Sequence, residues 1–195
     1  MASVDSRPAG APHAVDEYAL VVYVPPPLGP YLDVVRRRIA PWLPPGRAHV
    51  TVLPPRPLNS SAVDAWRELK PRLASVARFE AEATEVRVFE PTGVVYLDIG
   101  DGSQQLRRLH AAANQGVWLF QDPYPYHPHI TLAKDGPRER FEGALGKARE
   151  LWRRYKGPRR FVVERLHFVQ NTVLGLWMDL DSVQLSADGH SNSLI

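Results

Sequence analysis

The sequence predicts an α+β fold built twice over, as two lobes related by a pseudo-twofold axis. Three observations predict it. Strands and helices recur in the order strand, helix, strand, helix, strand. His-x-Thr occurs twice, as His49-Val50-Thr51 and His129-Ile130-Thr131, at equivalent places in that order. Each copy lies in a short apolar run, residues 48–53 and 128–133, that reads as a strand. Similarity between the halves is confined to this motif, so the duplication is inferred from element order, with strands expected to be donated between lobes.

The elements follow in turn. Residues 18–24 read as a buried strand stopped by Pro25-Pro26-Pro27. A helix is expected from near Pro30, since proline is tolerated in a first turn. Leu32, Val35 and Ile39 share one face, and Pro41 ends it. The His49 strand comes next, closed by Pro54-Pro55. Ser60 or Ser61 can cap a second helix whose buried face is Ala65, Leu69 and Leu73, with Pro71 expected to kink or split it. Alternation from Phe79 to Phe89 predicts a strand. Pro91-Thr92-Gly93 turns it back into a strand over 94–99. A third helix is expected over 103–115, with Leu106, Leu109 and Ala113 inward. The His129 strand then follows the proline-rich lead-in 122–128. A helix over 137–155 and two closing strands, 161–169 and 174–180, complete the order.

The chain has 195 residues, 44% of them hydrophobic, which suits one domain or two closely packed lobes. Residues 1–16 are small, polar and proline-bearing and are expected to be disordered. Residues 17–183 form the globular part and 184–195 a flexible tail. Zero cysteines exclude disulfides, thiolate zinc sites and cysteine nucleophiles. No run reaches a membrane span, and residues 1–10 lack a signal-peptide pattern. A cytoplasmic monomer without membrane contact is the expectation. Formal net charge is +3. The positive charge is mostly arginine, clustered at 36–38, 107–108, 153–154 and 159–160, which permits an anionic substrate. Solvated helix faces balanced by nearby acids are the favoured reading of the clusters over a nucleic-acid surface.

In a strand, residues i and i+2 share a face. Each motif therefore aims an imidazole and a hydroxyl together, with Val50 and Ile130 turned away. Two such strands meeting at one groove would bring together four polar groups. An imidazole titrates near pH 6.5, so one histidine can take a proton while another gives one. Threonine hydroxyls can donate to phosphate oxygens where charge builds up. One His-x-Thr is weak as a signal. Two copies at matched places outweigh a pair of chance strand histidines.

These residues carry a family resemblance. Ala48-His-Val-Thr-Val-Leu53 and Tyr126-His-Pro-His-Ile-Thr-Leu-Ala133 resemble the paired motifs of the two-histidine (2H) phosphoesterases, and within them the bacterial 2′-5′ RNA ligase-like and cyclic phosphodiesterase proteins. The resemblance in element order spans residues 17–182. It implies two antiparallel-sheet lobes with outer helices around a central groove. His49 and His129 would be catalytic, and Thr51 and Thr131 would bind phosphate. It also implies hydrolysis of a 2′,3′-cyclic phosphate on a nucleotide or RNA end, with no metal and no cofactor, or 2′-5′ RNA joining. Which histidine is acid and which base is left open. The alternative is a non-catalytic RNA- or nucleotide-binding module on the same fold.

Further contacts are expected from Tyr126, His127, Lys134 and Arg47. Lys134 would face away from His129 on a regular strand, and reach the groove only if the strand ends or bulges first. His127 would share the groove face if the strand extended back to it. Tyr124 and Tyr126 could stack on a base, although packing of the proline-rich turn explains them more simply. His110 and His167 are assigned surface or core roles.

Overall fold

The structure, a computed structural model, describes residues 14–90, 92–136 and 138–187. Among these residues, β1 (Ala14–Tyr23), α1 (Leu28–Ile39), β2 (His49–Arg56) and α2 (Ala62–Ala74) lead into the hairpin β3 (Phe79–Phe89) and β4 (Val94–Ile99). Then come α3 (Ser103–Ala113), β5 (His129–Ala133), α4 (Arg138–Arg154), β6 (Arg160–Val163), β7 (Arg165–Thr172) and β8 (Trp177–Gln184).

The strands line up as β6-β3-β4-β5-β2-β1-β7-β8, each neighbouring pair antiparallel. The two expected lobes are the halves of this order. They join into one sheet where Val50 of β2 pairs with Ile130 of β5. The chain crosses between halves repeatedly. β3 comes from the first half of the sequence but pairs with β4, and β7 returns to pair with β1. α1 connects β1 to β2 yet packs with α4 against β5, while α3 packs against β2. Neither half can therefore fold around its own sequence alone.

The helices cover one face of the sheet, where Leu20, Val22, Val50, Leu97 and Ile130 meet Leu32, Leu69, Leu106 and Trp118. Val50 and Ile130 have no exposed surface. Each such side chain contributes about 1.5–3 kcal/mol by leaving water. Ala19, Val21 and Val169 form a smaller apolar patch on the other face. Ser61 is the residue that caps α2, its hydroxyl accepting from the Asp64 amide at 3.1 Å. α3 opens on Gly102 at φ 82°, where a Cβ would lie 2.5 Å from the Glu80 carbonyl oxygen.

Several expectations need correction. β1 begins at Ala14, so 14–16 are strand, with Ala14 aligned to Thr172; residues 1–13 lie outside the described part. Leu185 and Ser186 are not a loose tail. Leu185 is buried, and Ser186 exchanges backbone hydrogen bonds with Val76 and Arg78. Residues 188–195 lie outside. Pro71 does not split α2, which runs on through it and ends three residues later at Ala74. β2 runs through Pro54-Pro55 to Arg56, since the ladder with β1 is already irregular there. The expected strand 161–169 is two strands broken at Glu164, where the chain leaves β3 and moves over to β1. The last strand starts at Trp177, because Gly175 at φ 70° places the hairpin turn over residues 173–176. Pro91 and Pro137, named in an expected turn and helix start, also lie outside the described residues.

Candidate active site

The pairing of Val50 with Ile130 organises the site. One step either way along antiparallel strands sets His49 opposite Thr131, and Thr51 opposite His129. The two motifs thus interlock crosswise on the face away from the helices. Each histidine has the other motif's threonine as its cross-strand neighbour.

A second symmetry sits just beyond the threonines. In β2, Val22 aligns with Val50 and Val21 with Thr51, but Leu20 aligns with Leu53, leaving Val52 as an extra residue. In β5, Leu97 aligns with Ile130 and Tyr96 with Thr131, but Val95 aligns with Ala133, leaving Leu132 extra. The same one-residue bulge follows both motifs. A bulge re-aims the side chains after it. Here it turns Pro54 and Lys134 into the groove, and both line it. Lys134 therefore reaches the groove by the bulge, as the regular alternation would not allow. The carbonyl of Val52, at the first bulge, is held by His110 Nδ1 at 2.7 Å.

The imidazoles are held alike. His49 Nδ1 lies 2.7 Å from the Arg47 carbonyl, and His129 Nδ1 lies 2.7 Å from the His127 carbonyl. Only an Nδ1–H can serve such a bond, so in each ring Nε2 is left with its lone pair. Both rings are only partly exposed. Burial pushes the His49 imidazole down to about 4, partly opposed by the Arg47 carbonyl and reinforced by Arg36, His129 and Lys134. His129 is also lowered by burial. The His127 carbonyl opposes this, as does the carboxylate of Asp98.

Here the halves differ. Across the next strand, His49 faces Tyr23, whose hydroxyl donates to Asp179 at 2.5 Å. His129 faces Asp98. Asp98 lies 2.8 Å from His127 Nε2 and 3.3 Å from Arg87 Nε, and accepts from the Ile99 amide. The residue whose carbonyl holds His129 is thus itself tied to a carboxylate beside His129.

The groove encloses about 580 Å³. Thr51, His127, His129, Thr131 and Lys134 supply its polar floor, and Pro54, Phe89, Val94, Pro123, Tyr124 and Pro125 its apolar walls. His49, opposite Thr131 on the neighbouring strand, is not among the lining residues, and its ring stands 6.3 Å from that of Tyr23. His127 lines the groove although β5 starts only at His129. Tyr126 lines it with its ring stacked on His110 at 4.1 Å, while its hydroxyl donates to the Thr51 carbonyl at 2.9 Å. That hydroxyl is a brace. Arg47 stands apart from the groove lining: its guanidinium covers the Tyr23 ring at 3.6 Å and lies 3.9 Å from Asp179. His167 packs on Tyr23 in the same cluster. Among the described residues, no group of three His, Asp or Glu is placed to hold a metal ion, and no helix is long and apolar enough to cross a membrane.

A profile described as the 2′-5′ RNA ligase superfamily matches residues 24–173, which include both motifs and every strand from β2 to β7. The chain belongs to the 2′-5′ RNA ligase superfamily. It is 31% identical over 81 residues to a protein of Oceanobacillus iheyensis carrying the provisional name phosphoesterase OB1230. It is 25% identical over 131 residues to a similarly named protein, GWCH70_0799, of a Geobacillus strain. These alignments cover 41% and 66% of this chain, and 47% and 73% of the relatives, so the chain spans about half the length of the first. TT0787 of Thermus thermophilus has the same fold at TM-score 0.57 and 20% identity, over 87% of this chain and 97% of that one. Escherichia coli LigT in its apo form matches at TM-score 0.60 and 14% identity, over 89% and 99%.

This member of the 2′-5′ RNA ligase superfamily has three residues beside its candidate site that sequence reasoning did not place there, although Arg107 was noted in an arginine cluster. Asp98 lies in the expected strand 94–99, but only the ladder with β5 shows that it faces His129. Arg107, on α3, reaches the Tyr126 carbonyl and His127 Nδ1. Arg56 is 1% exposed and binds Asn114, the Trp118 carbonyl and Asp122. Its place after Pro54-Pro55 gave no sign of burial. It fixes the loop that forms one wall of the groove.

Proposed function

We propose that the groove hydrolyses 2′,3′-cyclic phosphates on a nucleotide or an RNA end, with His49 and His129 as the paired acid and base. The observation that carries this is the crosswise pairing of the motifs about Val50 and Ile130. Two imidazoles, each holding a backbone carbonyl through Nδ1, share one face with a threonine beside each, which supports this reading. One imidazole takes a proton from water as the water oxygen bonds to phosphorus. The other gives a proton to the ribose oxygen as its bond to phosphorus breaks. Thr51 and Thr131 donate to the non-bridging oxygens, and Lys134 offsets their charge. A cyclic phosphate carries one negative charge. Its arrival favours the protonated form of whichever imidazole serves as acid, against the burial that disfavours the charged form of both.

The fold neighbour LigT is known in complexes with 3′-AMP, ATP and NADP+, which supports a nucleotide ligand here. No metal takes part in this reading.

The test is turnover of a panel of nucleoside 2′,3′-cyclic phosphates and 2′-5′ linked oligonucleotides. Phosphorus NMR of the product identifies which bond opens. Turnover that survives EDTA is expected. Tight binding with no turnover of any member, with or without divalent metal, overturns the reading in favour of a binding module.

A further inference from the structure

Beside the groove lies a second hollow of about 450 Å³, within the range of small-ligand sites. The two share Asp122, Tyr124 and Tyr126. One side of it is a stripe of α3, with His110 in the helix and Asn114 at its C-cap. The other side carries exposed apolar groups, with Leu119 at 64%, Phe120 at 38% and Tyr124 at 59% exposure.

We propose that this hollow holds the nucleotide on the 5′ side of the terminal cyclic phosphate, so that the preferred substrate is an RNA end and not a free mononucleotide. The proposal rests on the phosphodiester reading of the groove and adds the length of its substrate. A 2′,3′-cyclic phosphate closes the 3′ end of a chain, so the only neighbouring nucleotide lies on its 5′ side. Tyr126 measures the step between the hollows. Its hydroxyl touches the Thr51 carbonyl, while its ring stacks on His110 in the wall of the second hollow.

Three further features suit a nucleotide there. Phe120 and Tyr124 present aromatic rings to solvent, which bind unpaired bases by stacking. Arg107, one helical turn before His110, stands exposed over the Tyr126 carbonyl, where the linking phosphate would pass. The loop is built in advance: buried Arg56 ties it at Trp118 and Asp122, and Asn114 accepts from the Phe120 amide at 3.1 Å. A rigid platform spares the ligand the cost of ordering it.

Two measurements test this together. The first compares kcat/KM for a nucleoside 2′,3′-cyclic phosphate and for a dinucleotide ending in the same group. The second compares the affinities of a mononucleotide and a dinucleotide 3′-phosphate, which needs no turnover. The dinucleotide is expected to be favoured by about tenfold or more in both, the effect of one stacked base. Phe120→Ala and, independently, Leu119→Glu should reduce that advantage to within about threefold while leaving the mononucleotide values unchanged. Equal values for the two lengths overturn the proposal and leave the exposed patch to a protein partner. Equal loss for both lengths in folded variants overturns it too. If no substrate turns over but the affinity gap is present and Phe120→Ala removes it, the hollow is a nucleotide site and the hydrolytic reading fails.

Discussion

Val50 and Ile130 pair across the seam between the two lobes, and their register sets His49 opposite Thr131 and Thr51 opposite His129. Both side chains point into the core and have no exposed surface. The alignment of the groove face is therefore held by packing on the opposite face. A slip of one residue would turn His49 and Thr51 into the core, which the burial of Val50 opposes.

Removing either imidazole should stop chemistry without unfolding the protein. His49→Ala and His129→Ala are each expected to lower kcat by roughly 10²–10⁴. Thermal melts should move little, since both rings are only partly buried. The double variant should lose far less than the product of the single losses, because the pair acts as a unit. A fully active single variant would remove that histidine from the mechanism.

Thr51→Val and Thr131→Val keep shape and remove a donor. Each should lower kcat by roughly 10², chiefly in kcat and less in KM, if the hydroxyls serve charge that develops at the transition state. Steady-state kinetics on both variants separates the two. A rise in KM alone would assign the threonines to ground-state binding.

Asp98→Asn should single out His129. The carboxylate faces His129 across the ladder and holds His127, whose carbonyl orients the ring. Loss of its charge leaves only the His127 carbonyl to oppose burial and lowers the His129 pKa further, while His49 faces Tyr23 instead. One limb of the bell-shaped profile of kcat/KM should move to lower pH and the other stay. Movement of the rising limb makes His129 the base, and movement of the falling limb makes it the acid. Two stationary limbs would show that Asp98 has no hold on His129.

Stability should fall in mild acid. His49 sits near 4 in the folded protein and near 6.5 when unfolded. Between these values the unfolded chain binds a proton that the folded chain refuses, so stability rises with pH across the window. The contribution is fully present above pH 6.5 and is lost as pH falls towards 4, by roughly 3 kcal/mol in total. Urea titrations at pH 7 and pH 4.5 measure it. His49→Gln should be less sensitive over that range, and an unchanged slope would place the acid sensitivity elsewhere.

Arg56→Met should loosen the groove wall. The variant leaves Asp122, itself largely buried, without its 3.0 Å partner. Breaking such a pair from one side costs about 3–5 kcal/mol. Urea denaturation reads the loss, and hydrogen exchange over 114–122 should rise. Stability unchanged within error would mean that water replaces Arg56 there without cost.

The elements of this chain were largely written in local order. A period-two run marked β3, the turn after it marked β4, period-3.6 runs marked the helices, and the doubled His-x-Thr named four residues of the candidate site. These are short-range signals, fixed by which side chains share a face. The failures came where distant segments meet. Residues 161–169 read as one strand, yet break at Glu164 because β3 and β1, in opposite halves of the sheet, each claim a part. Residues 14–16 look too polar to order, but β7 lies alongside them.

By itself the sequence determined that two imidazole–hydroxyl pairs exist and that each shares a strand face, because the pleat alternates whatever the strand pairs with. Only the tertiary structure decided that the pairs interlock, that a bulge brings Lys134 into the groove, and that Asp98 stands beside one histidine and Tyr23 beside the other. Those facts depend on register between strands as far apart in sequence as β2 and β5. Register is set by burying Val50 against Ile130, a contact between segments that nothing local joins.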